Sequence, residues 1–268
     1  ILSVTAAGLT VAANNASRAY GTTNPVFGGT LTGVQNGDNI TATYAAAATA
    51  TSPVGAYPII PTLVDPSGKL SNYTVSSTNG TLEITPALLT GTADAKSRLY
   101  GAANPLFSVT YTGFVNGQDA SLVTGTLSGS TSATTNSPTG HYPISVGGQS
   151  APNYTIHYVA GTLTVEAAPL LVTGDPASRA YGQANPAFSA TISGWVNGED
   201  TNVLGGTLVL TSPAQTNSPV GSYPIMPEGL TSTNYAITFS NATLTVTAYQ
   251  LSVTADSHSR SYGATNPA

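Results

Sequence analysis

The sequence contains no cysteine and very little charge. Its 268 residues include six Lys and Arg and eleven Asp and Glu, or 6% charged residues, against roughly 25% in an ordinary globular protein. The absence of cysteine excludes disulfides, thiolate nucleophiles and thiolate zinc sites. Six basic residues in a chain of net charge -5 cannot neutralise a nucleic-acid backbone, so we expect no nucleic-acid partner.

Long apolar runs are also missing, because no stretch of about 18 consecutive apolar residues occurs. We therefore expect no membrane insertion in this segment. The chain is nevertheless 40% hydrophobic, with a mean hydropathy of +0.08. Disordered chains combine low hydropathy with high charge, so this composition predicts a folded protein.

A nine-residue pattern, S-R-x-Y-G-x-x-N-P, occurs four times, and no homologue is needed to see it. The copies begin at Ser17, Ser97, Ser178 and Ser259 and are therefore spaced by 80, 81 and 81 residues. An Asn-Tyr pair recurs every 81 residues, and a Ser-Pro-x-Gly-x-Tyr-Pro-Ile segment occurs once in each full repeat, five residues sooner in the first. The chain is therefore a tandem array of units of about 80 residues.

The repeats predict five segments. Residues 1-8 end a preceding repeat, 9-88, 89-169 and 170-250 are repeats 1 to 3, and 251-268 begin a further repeat. We accordingly expect an excerpt from a longer array.

Strand patterns dominate each repeat. The third repeat predicts strands over residues 170–173, 188–192, 208–211 and 223–226, followed by a hairpin of 235–239 and 243–247. In the first repeat that hairpin would turn at Asn79-Gly80, a pair suited to a type I′ turn. Asp119 and Asp200 are expected to cap a short helical turn, which the first repeat lacks.

The segments between repeats are two or three residues long and lack the Gly and Ser runs of flexible tethers. A unit of 80 residues is small for an autonomous core, so each repeat should be marginally stable alone. We expect an elongated, semi-rigid rod in which each unit adds roughly 30 to 40 Å and contacts only its neighbours.

The motif order S-R-x-Y-G-x-x-N-P, G-[FWV]-x-N-G, Pro-x-Gly-x-Tyr-Pro-Ile, Asn-Tyr and a closing Thr-Leu-x-[IV]-Thr strand resembles the YGX-type MBG domain across essentially the whole chain. That resemblance implies tandem domains of bacterial secreted or surface proteins, often adhesin-like, with a β-grasp-like fold and no catalytic residues. An immunoglobulin-like sandwich is the alternative fold, because six or seven short strands fit it nearly as well.

The repeated motif supplies the candidate site residues, and we expect structural roles for them. Arginine should bond loop carbonyls and pair with the acid four residues earlier, although it could instead hold a carboxylate or sugar. Tyrosine should anchor the core, glycine should supply backbone freedom, and Asn-Pro should form a turn. The residues are Arg18, Tyr20, Gly21, Asn24, Pro25, Arg98, Tyr100, Gly101, Asn104, Pro105, Arg179, Tyr181, Gly182, Asn185, Pro186, Arg260, Tyr262 and Gly263.

These features favour a noncatalytic stalk or fibre module, extracellular or on a bacterial cell surface, with no cofactor and no metal. The expected partners are neighbouring repeats of the same chain, further copies that assemble laterally into fibres through unguarded strand edges, and host or matrix glycans. Two alternatives stay open: a carbohydrate-binding module in which Trp195 and tyrosines stack on sugars, and an accessory region of a larger secreted enzyme.

Overall fold

The computed structural model describes all 268 residues, and every regular element longer than three residues is a β-strand. Each repeat contributes seven strands. Those of the first are β1 Ala7–Ala13, β2 Ala16–Ala19, β3 Gly29–Thr32, β4 Thr41–Ala45, β5 Gly55–Val64, β6 Tyr73–Thr78 and β7 Gly80–Thr85.

The second and third repeats follow the same plan. The second comprises β8 Ala87–Ala93, β9 Lys96–Leu99, β10 Val109–Thr112, β11 Ser128–Thr131, β12 Gly140–Gly147, β13 Tyr154–Val159 and β14 Gly161–Glu166. The third comprises β15 Ala168–Gly174, β16 Ala177–Ala180, β17 Ala190–Ser193, β18 Gly205–Thr211, β19 Gly221–Thr231, β20 Tyr235–Ser240 and β21 Ala242–Thr247.

Each repeat folds into a three-stranded and a four-stranded sheet. In the first repeat the strand orders are β3-β1-β6 and β2-β7-β5-β4, and the other two repeats have equivalent orders. Strand β1 pairs in parallel with β6, and β2 pairs in parallel with β7. Strands β1 and β2, at the start of the repeat, therefore run parallel to β6 and β7, at its end. Both pairs pass from the three-stranded sheet to the four-stranded sheet at the same place.

The expected mostly-β tandem domains are confirmed, and the pair of sheets corresponds to the sandwich alternative. A β-grasp fold packs its sheet on a helix, whereas the only helices here are three-residue 3-10 turns. Two of them follow the aspartates that we expected as caps: Asp119 Oδ1 accepts from Ser121 N, and Asp200 Oδ1 accepts from Asn202 N, each at 2.9 Å. The first repeat has its turn elsewhere, at Leu70–Asn72.

The predicted hairpin is wrong, because its two strands belong to different sheets. Strand β20 pairs in parallel with β15, whereas β21 pairs with β16 and β19. Neither Asn79 nor Gly80 has a positive φ, so the expected type I′ turn is absent as well. Gly80 is needed for a different reason, since a Cβ there would lie 2.4 Å from the carbonyl oxygen of Asn14.

Buried apolar side chains alternate along the strands and continue from one repeat into the next. Leu82 and Ile84 of β7 share a hydrophobic cluster with Leu89 of β8 and Tyr154 of β13. One residue, Pro86, separates β7 from β8, and one residue, Ala167, separates β14 from β15. The connections are as short as expected, but the first and second repeats share part of their core instead of keeping separate ones.

Two compact units divide the chain, and their boundaries do not follow the repeats. One contains Ile1–Ser97, Pro105–Ser132 and His141–Thr164, and the other contains Arg98–Asn104, Ala133–Gly140 and Val165–Ala268. Two segments of the second repeat, its Tyr-Gly motif and its Ser-Pro loop, thus belong to the unit of the third repeat. The contacts at the end of a repeat are therefore directed toward the following repeat.

Candidate functional site: the junction between consecutive repeats

The arginine of the repeated motif holds a loop of its own repeat in place. Arg98 Nε donates to Asn104 Oδ1 at 2.7 Å, Nη1 donates to the carbonyl of Leu99 at 3.1 Å, and Nη2 donates to the carbonyl of Thr134. Asn104 Nδ2 in turn donates to the carbonyl of Ala133 at 2.7 Å. Arg18 with Asn24, and Arg179 with Asn185, make the equivalent contacts in the first and third repeats.

These three arginines are 7 to 8% exposed, and their carbonyl bonds are those that the sequence predicts. The expected ion pair is wrong, however. Asp175, four residues before Arg179, accepts hydrogen bonds from Ser189 and Thr191 at 2.7 and 2.9 Å. The equivalent bonds from Ser108 and Thr110 hold the pKa of Asp94 below its usual value. Arginine and aspartate therefore fix two separate loops.

The glycine after the motif tyrosine has a left-handed backbone, with φ between 81 and 86° in all four copies. A Cβ on Gly21 would lie 2.3 Å from the Val115 side chain, and one on Gly101 would lie 2.5 Å from Val196. Each valine belongs to the following repeat. Glycine thus satisfies both the backbone conformation and the close approach of a neighbour.

The motif tyrosine packs on the tyrosine of the next repeat's Asn-Tyr pair. The Tyr20 and Tyr154 rings, like the Tyr100 and Tyr235 rings, meet edge to face with centroids 5.7 Å apart. Tyr20 and Tyr100 are 3% and 4% exposed, whereas Tyr181 is 45% exposed. Since residues 248–268 form no strand, Tyr181 has no folded repeat against it. The tyrosine is an anchor, as expected, but its partner is the next repeat.

One polar side chain joins the two tyrosine hydroxyls at each junction. Tyr154 donates to Gln118 Oε1 at 2.6 Å, and Gln118 Nε2 donates to the hydroxyl of Tyr20 at 3.0 Å. In the second junction Tyr100 and Tyr235 donate to the two oxygens of the Glu199 carboxylate. The bond to Glu199 raises the pKa of Tyr100, and burial together with Glu199 raises that of Tyr235.

Two asparagines of the following repeat complete the junction. Asn153 Oδ1 accepts from Val54 N at 2.9 Å, so it caps the Ser-Pro loop of the preceding repeat. Asn116 Nδ2 donates to the carbonyl of Ala50 at 3.3 Å. The second junction repeats both contacts, with Asn234 bonded to Thr139 and Asn197 bonded to Thr135.

The recurring motifs therefore meet at two complementary ends. The Tyr-Gly end of a repeat comprises Tyr20, Gly21 and residues 49–55 or their equivalents, and the Asn-Tyr end comprises residues 113–118, Asn153 and Tyr154 or their equivalents. Sequence reasoning treated these motifs as separate local turns and missed that they contact one another. The available signal was that each motif recurs with the same period, although no residue in it shows which repeat it contacts.

The profile of the MBG domain (YGX type) matches residues 9–83, 89–164 and 170–245 of this chain. The chain belongs to this family. In these MBG repeats the Tyr-Gly pair and the Asn-Tyr pair form the two sides of the junction.

A comparison with curated proteins found no match. Among solved structures, the chain is similar to Drosophila N-cadherin EC1-3 (8% identity, TM-score 0.24, 88% of this chain and 98% of that one). It is also similar to the N-terminal four Ig domains of Dscam1 isoform 4.4, with 10% identity, a TM-score of 0.21, and 91% of this chain and 73% of that one covered. A third similar structure comprises three N-terminal domains of the bacteriophage RB49 outer capsid protein Hoc, with 11% identity, a TM-score of 0.22, and 91% of this chain and 100% of that one covered. TM-scores this low do not establish a common arrangement.

No three His, Cys, Asp or Glu side chains come together as a metal site would need, and no helix is long and apolar enough to span a bilayer. Trp195, which a sugar-binding surface would use, meets Tyr235 edge to face with centroids 5.6 Å apart. The same position is Phe114 in the second repeat, where the ring packs on Tyr154.

Proposed function

We propose that this chain is a noncatalytic mechanical module: part of an extracellular stalk or fibre, in a bacterial surface or secreted protein, that carries an adhesive region or builds a matrix. The observation that supports this proposal is the junction, which uses the recurring Tyr-Gly and Asn-Tyr pairs to join one repeat to the next.

The connection between repeats leaves little freedom to bend. Thr85 O accepts from Tyr20 N at 2.8 Å, and Ala87 N donates to the carbonyl of Asn153 at 3.0 Å. The chain is thus bonded to the first repeat just before Pro86 and to the second just after it. Proline also fixes its own φ, so the orientation of the second repeat is restrained by backbone as well as side chains.

The junction contributes a useful share of the stability of a repeat. Its edge-to-face tyrosine pair is worth about 1 kcal/mol, and its side-chain hydrogen bonds add about 1 kcal/mol each. The sum is about 4 kcal/mol, comparable with the about 4 to 12 kcal/mol expected for a domain of 80 residues. Neighbouring repeats should therefore stabilise one another appreciably, which suits a load-bearing array.

Pulling the chain from its ends in a single-molecule experiment tests the mechanical role. Unfolding should occur in equal steps of one repeat, each releasing up to about 28 nm of chain. A Tyr100→Ala variant should lower the unfolding force of the adjoining repeats, with Tyr262→Ala as the control because Tyr262 is fully exposed. A single event for the whole chain would contradict the proposal of separate units.

Location and adhesion need their own experiments. Antibodies should label the repeats on intact cells, and treating those cells with external protease should remove the labelling. A glycan array tests the adhesive partner, and binding that Trp195→Ala abolishes would favour a carbohydrate-binding module over a stalk.

A further inference from the structure

We propose that the Asn-Gly turns at the two internal junctions are sites of spontaneous deamidation, a covalent modification that loosens the contact between consecutive repeats. The turns contain Asn116-Gly117 and Asn197-Gly198, and each lies in the Asn-Tyr end of its repeat. The reaction and its effect on the junction depend only on these turns, so they do not require the mechanical role proposed above.

Each of these pairs forms a type I′ turn, in which both central residues have a positive φ. Asn116 and Gly117 have φ values of +56 and +71°, and Gln118 N donates to the carbonyl of Val115 at 3.1 Å. The turn at Asn197-Gly198 has φ values of +56 and +72°. All four central residues are exposed. The glycine nitrogens donate no hydrogen bond, and a Cβ on either glycine would meet nothing within 4 Å, so both nitrogens are accessible.

An accessible glycine nitrogen is the nucleophile that deamidation needs. Asparagine is among the chemically labile side chains of proteins, and a following glycine has no side chain to hinder the attack. The glycine nitrogen attacks Cγ of the asparagine. A new C–N bond forms as the bond to Nδ2 breaks, and the glycine amide proton leaves with the amide group as ammonia. Water then opens the succinimide ring at either carbonyl carbon, which gives aspartate or isoaspartate.

Another Asn-Gly pair, Asn79-Gly80, provides a matched comparison within the same chain. Gly80 is buried and lies opposite Ile59 in the ladder between β5 and β7. The nitrogen of Gly80 becomes accessible only when these strands separate, which costs free energy that the exposed turns do not require. The same dipeptide should therefore react slowly at Asn79 and faster in the turns, including the similar turn at Asn36-Gly37.

Deamidation removes a hydrogen-bond donor that crosses each junction. Asn116 Nδ2 donates to the carbonyl of Ala50, and Asn197 Nδ2 donates to the carbonyl of Thr135, each at 3.3 Å. In the product a carboxylate oxygen takes the place of the donor. An ionised carboxylate only accepts hydrogen bonds, as a carbonyl oxygen does, so the contact becomes repulsive.

The isoaspartate product also displaces the residues beside the turn, because its main chain runs through the former side chain and is longer by one methylene group. Val115 N donates to the hydroxyl of Tyr154 at 3.0 Å. Gln118, on the other side of the turn, bonds the hydroxyls of Tyr154 and Tyr20. A shift of these two residues therefore disturbs the contacts that join the repeats.

Peptide mapping by mass spectrometry tests the reaction. The intact chain is incubated in mildly alkaline buffer, and the acid formed at each asparagine is measured over time, with isoaspartyl methyltransferase to identify isoaspartate. Asn116 and Asn197 should react at least about tenfold faster than Asn79, the factor that corresponds to an opening cost of about 1.4 kcal/mol. In the urea-unfolded chain the three rates should be similar. A smaller difference in the folded chain, or one that persists in urea, would overturn the proposal.

Urea unfolding followed by Trp195 fluorescence tests the effect on the junction. Asn197→Asp, which reproduces one product, should shift the unfolding equilibrium about fivefold, as expected for one lost hydrogen bond, whereas Asn79→Asp should leave it unchanged. In a Tyr100→Ala background, where the junction is already disrupted, Asn197→Asp should have little further effect. Equal effects in the two backgrounds, or no effect in either, would show that the modification does not act on the junction and would overturn that part of the proposal.

Discussion

Replacing Gly101 by alanine should weaken the second junction more than the same change at Gly182 weakens the third repeat. The two glycines have nearly identical backbones, with φ of +81 and +82°. They differ in one respect: a Cβ on Gly101 would lie 2.5 Å from Val196, whereas a Cβ on Gly182 meets nothing within 4 Å. The pair therefore separates the backbone cost of alanine from the cost of crowding the junction.

The two costs can be estimated independently. Placing an L side chain in the left-handed region costs about 1 to 2 kcal/mol, and both variants bear it. Forcing a methyl group into a packed contact reduces stability by a further amount of about 1 to 3 kcal/mol, and this second loss applies only to Gly101→Ala. We expect a loss of about 2 to 5 kcal/mol for Gly101→Ala and about 1 to 2 kcal/mol for Gly182→Ala.

A double-mutant cycle with Val196→Gly identifies the source of the difference. A Cβ on Gly101 would lie 2.5 Å from both the Cβ and the Cγ2 of Val196, so removing the whole valine side chain should make Gly101→Ala less costly, while leaving the cost of Gly182→Ala unchanged. Urea unfolding, followed by the fluorescence of Trp195, the only tryptophan, measures all the variants. Equal losses for the two glycine variants, or no coupling between residues 101 and 196, would show that the junction contact is not tight.

Two further predictions concern polar groups at the same ends. Arg179→Lys should destabilise the third repeat by about 1 to 3 kcal/mol in urea, because a lysine cannot reproduce the three bonds of the buried guanidinium; an unchanged midpoint would show that the loop holds without them. The pKa values of Tyr100 and Tyr235 are raised above 10.0, so the stability that they confer is complete below that pH and is lost as the pH rises through the higher folded values. Ultraviolet titration of tyrosinate should detect Tyr100 and Tyr235 among the late-ionising groups, together with Tyr73 and Tyr111, whose pKa values are also raised. Glu199→Gln should lower the pKa values of Tyr100 and Tyr235 alone; titration unaffected by that variant would exclude the carboxylate as the cause.

The repeat period, most of the strands and the aspartate-capped turns could be predicted from the sequence. All six strands expected in the third repeat are present, and the aspartate caps and the bonds from arginine to loop carbonyls follow from side-chain chemistry alone. Strand β16 was missed because it lies within the Ser-Arg motif, whose residues lack an alternating apolar pattern. Local signals of this kind act within a few residues of the chain, which is why sequence reasoning recovers them.

Pairings between distant residues could not be predicted in the same way. Residues Tyr235–Ser240 and Ala242–Thr247 follow one another with a single residue between them, which is typical of a hairpin, but each pairs with a strand near the start of the repeat. The burial of Tyr20 was predicted and its partner was not, because an aromatic residue beside glycine fits an internal core as well as a contact with another domain. Nothing in the tyrosine itself distinguishes the two.

The one-residue connection at Pro86 and Ala167 has a consequence for how such arrays change in length. An internal repeat contacts the preceding repeat through its Asn-Tyr end and the following repeat through its Tyr-Gly end. A recombination event that duplicates or deletes one full period therefore joins surfaces that already match, and it leaves no unmatched interface to be repaired by later mutation. Genes of this design can lengthen or shorten their product in whole units while every surviving unit keeps its stability.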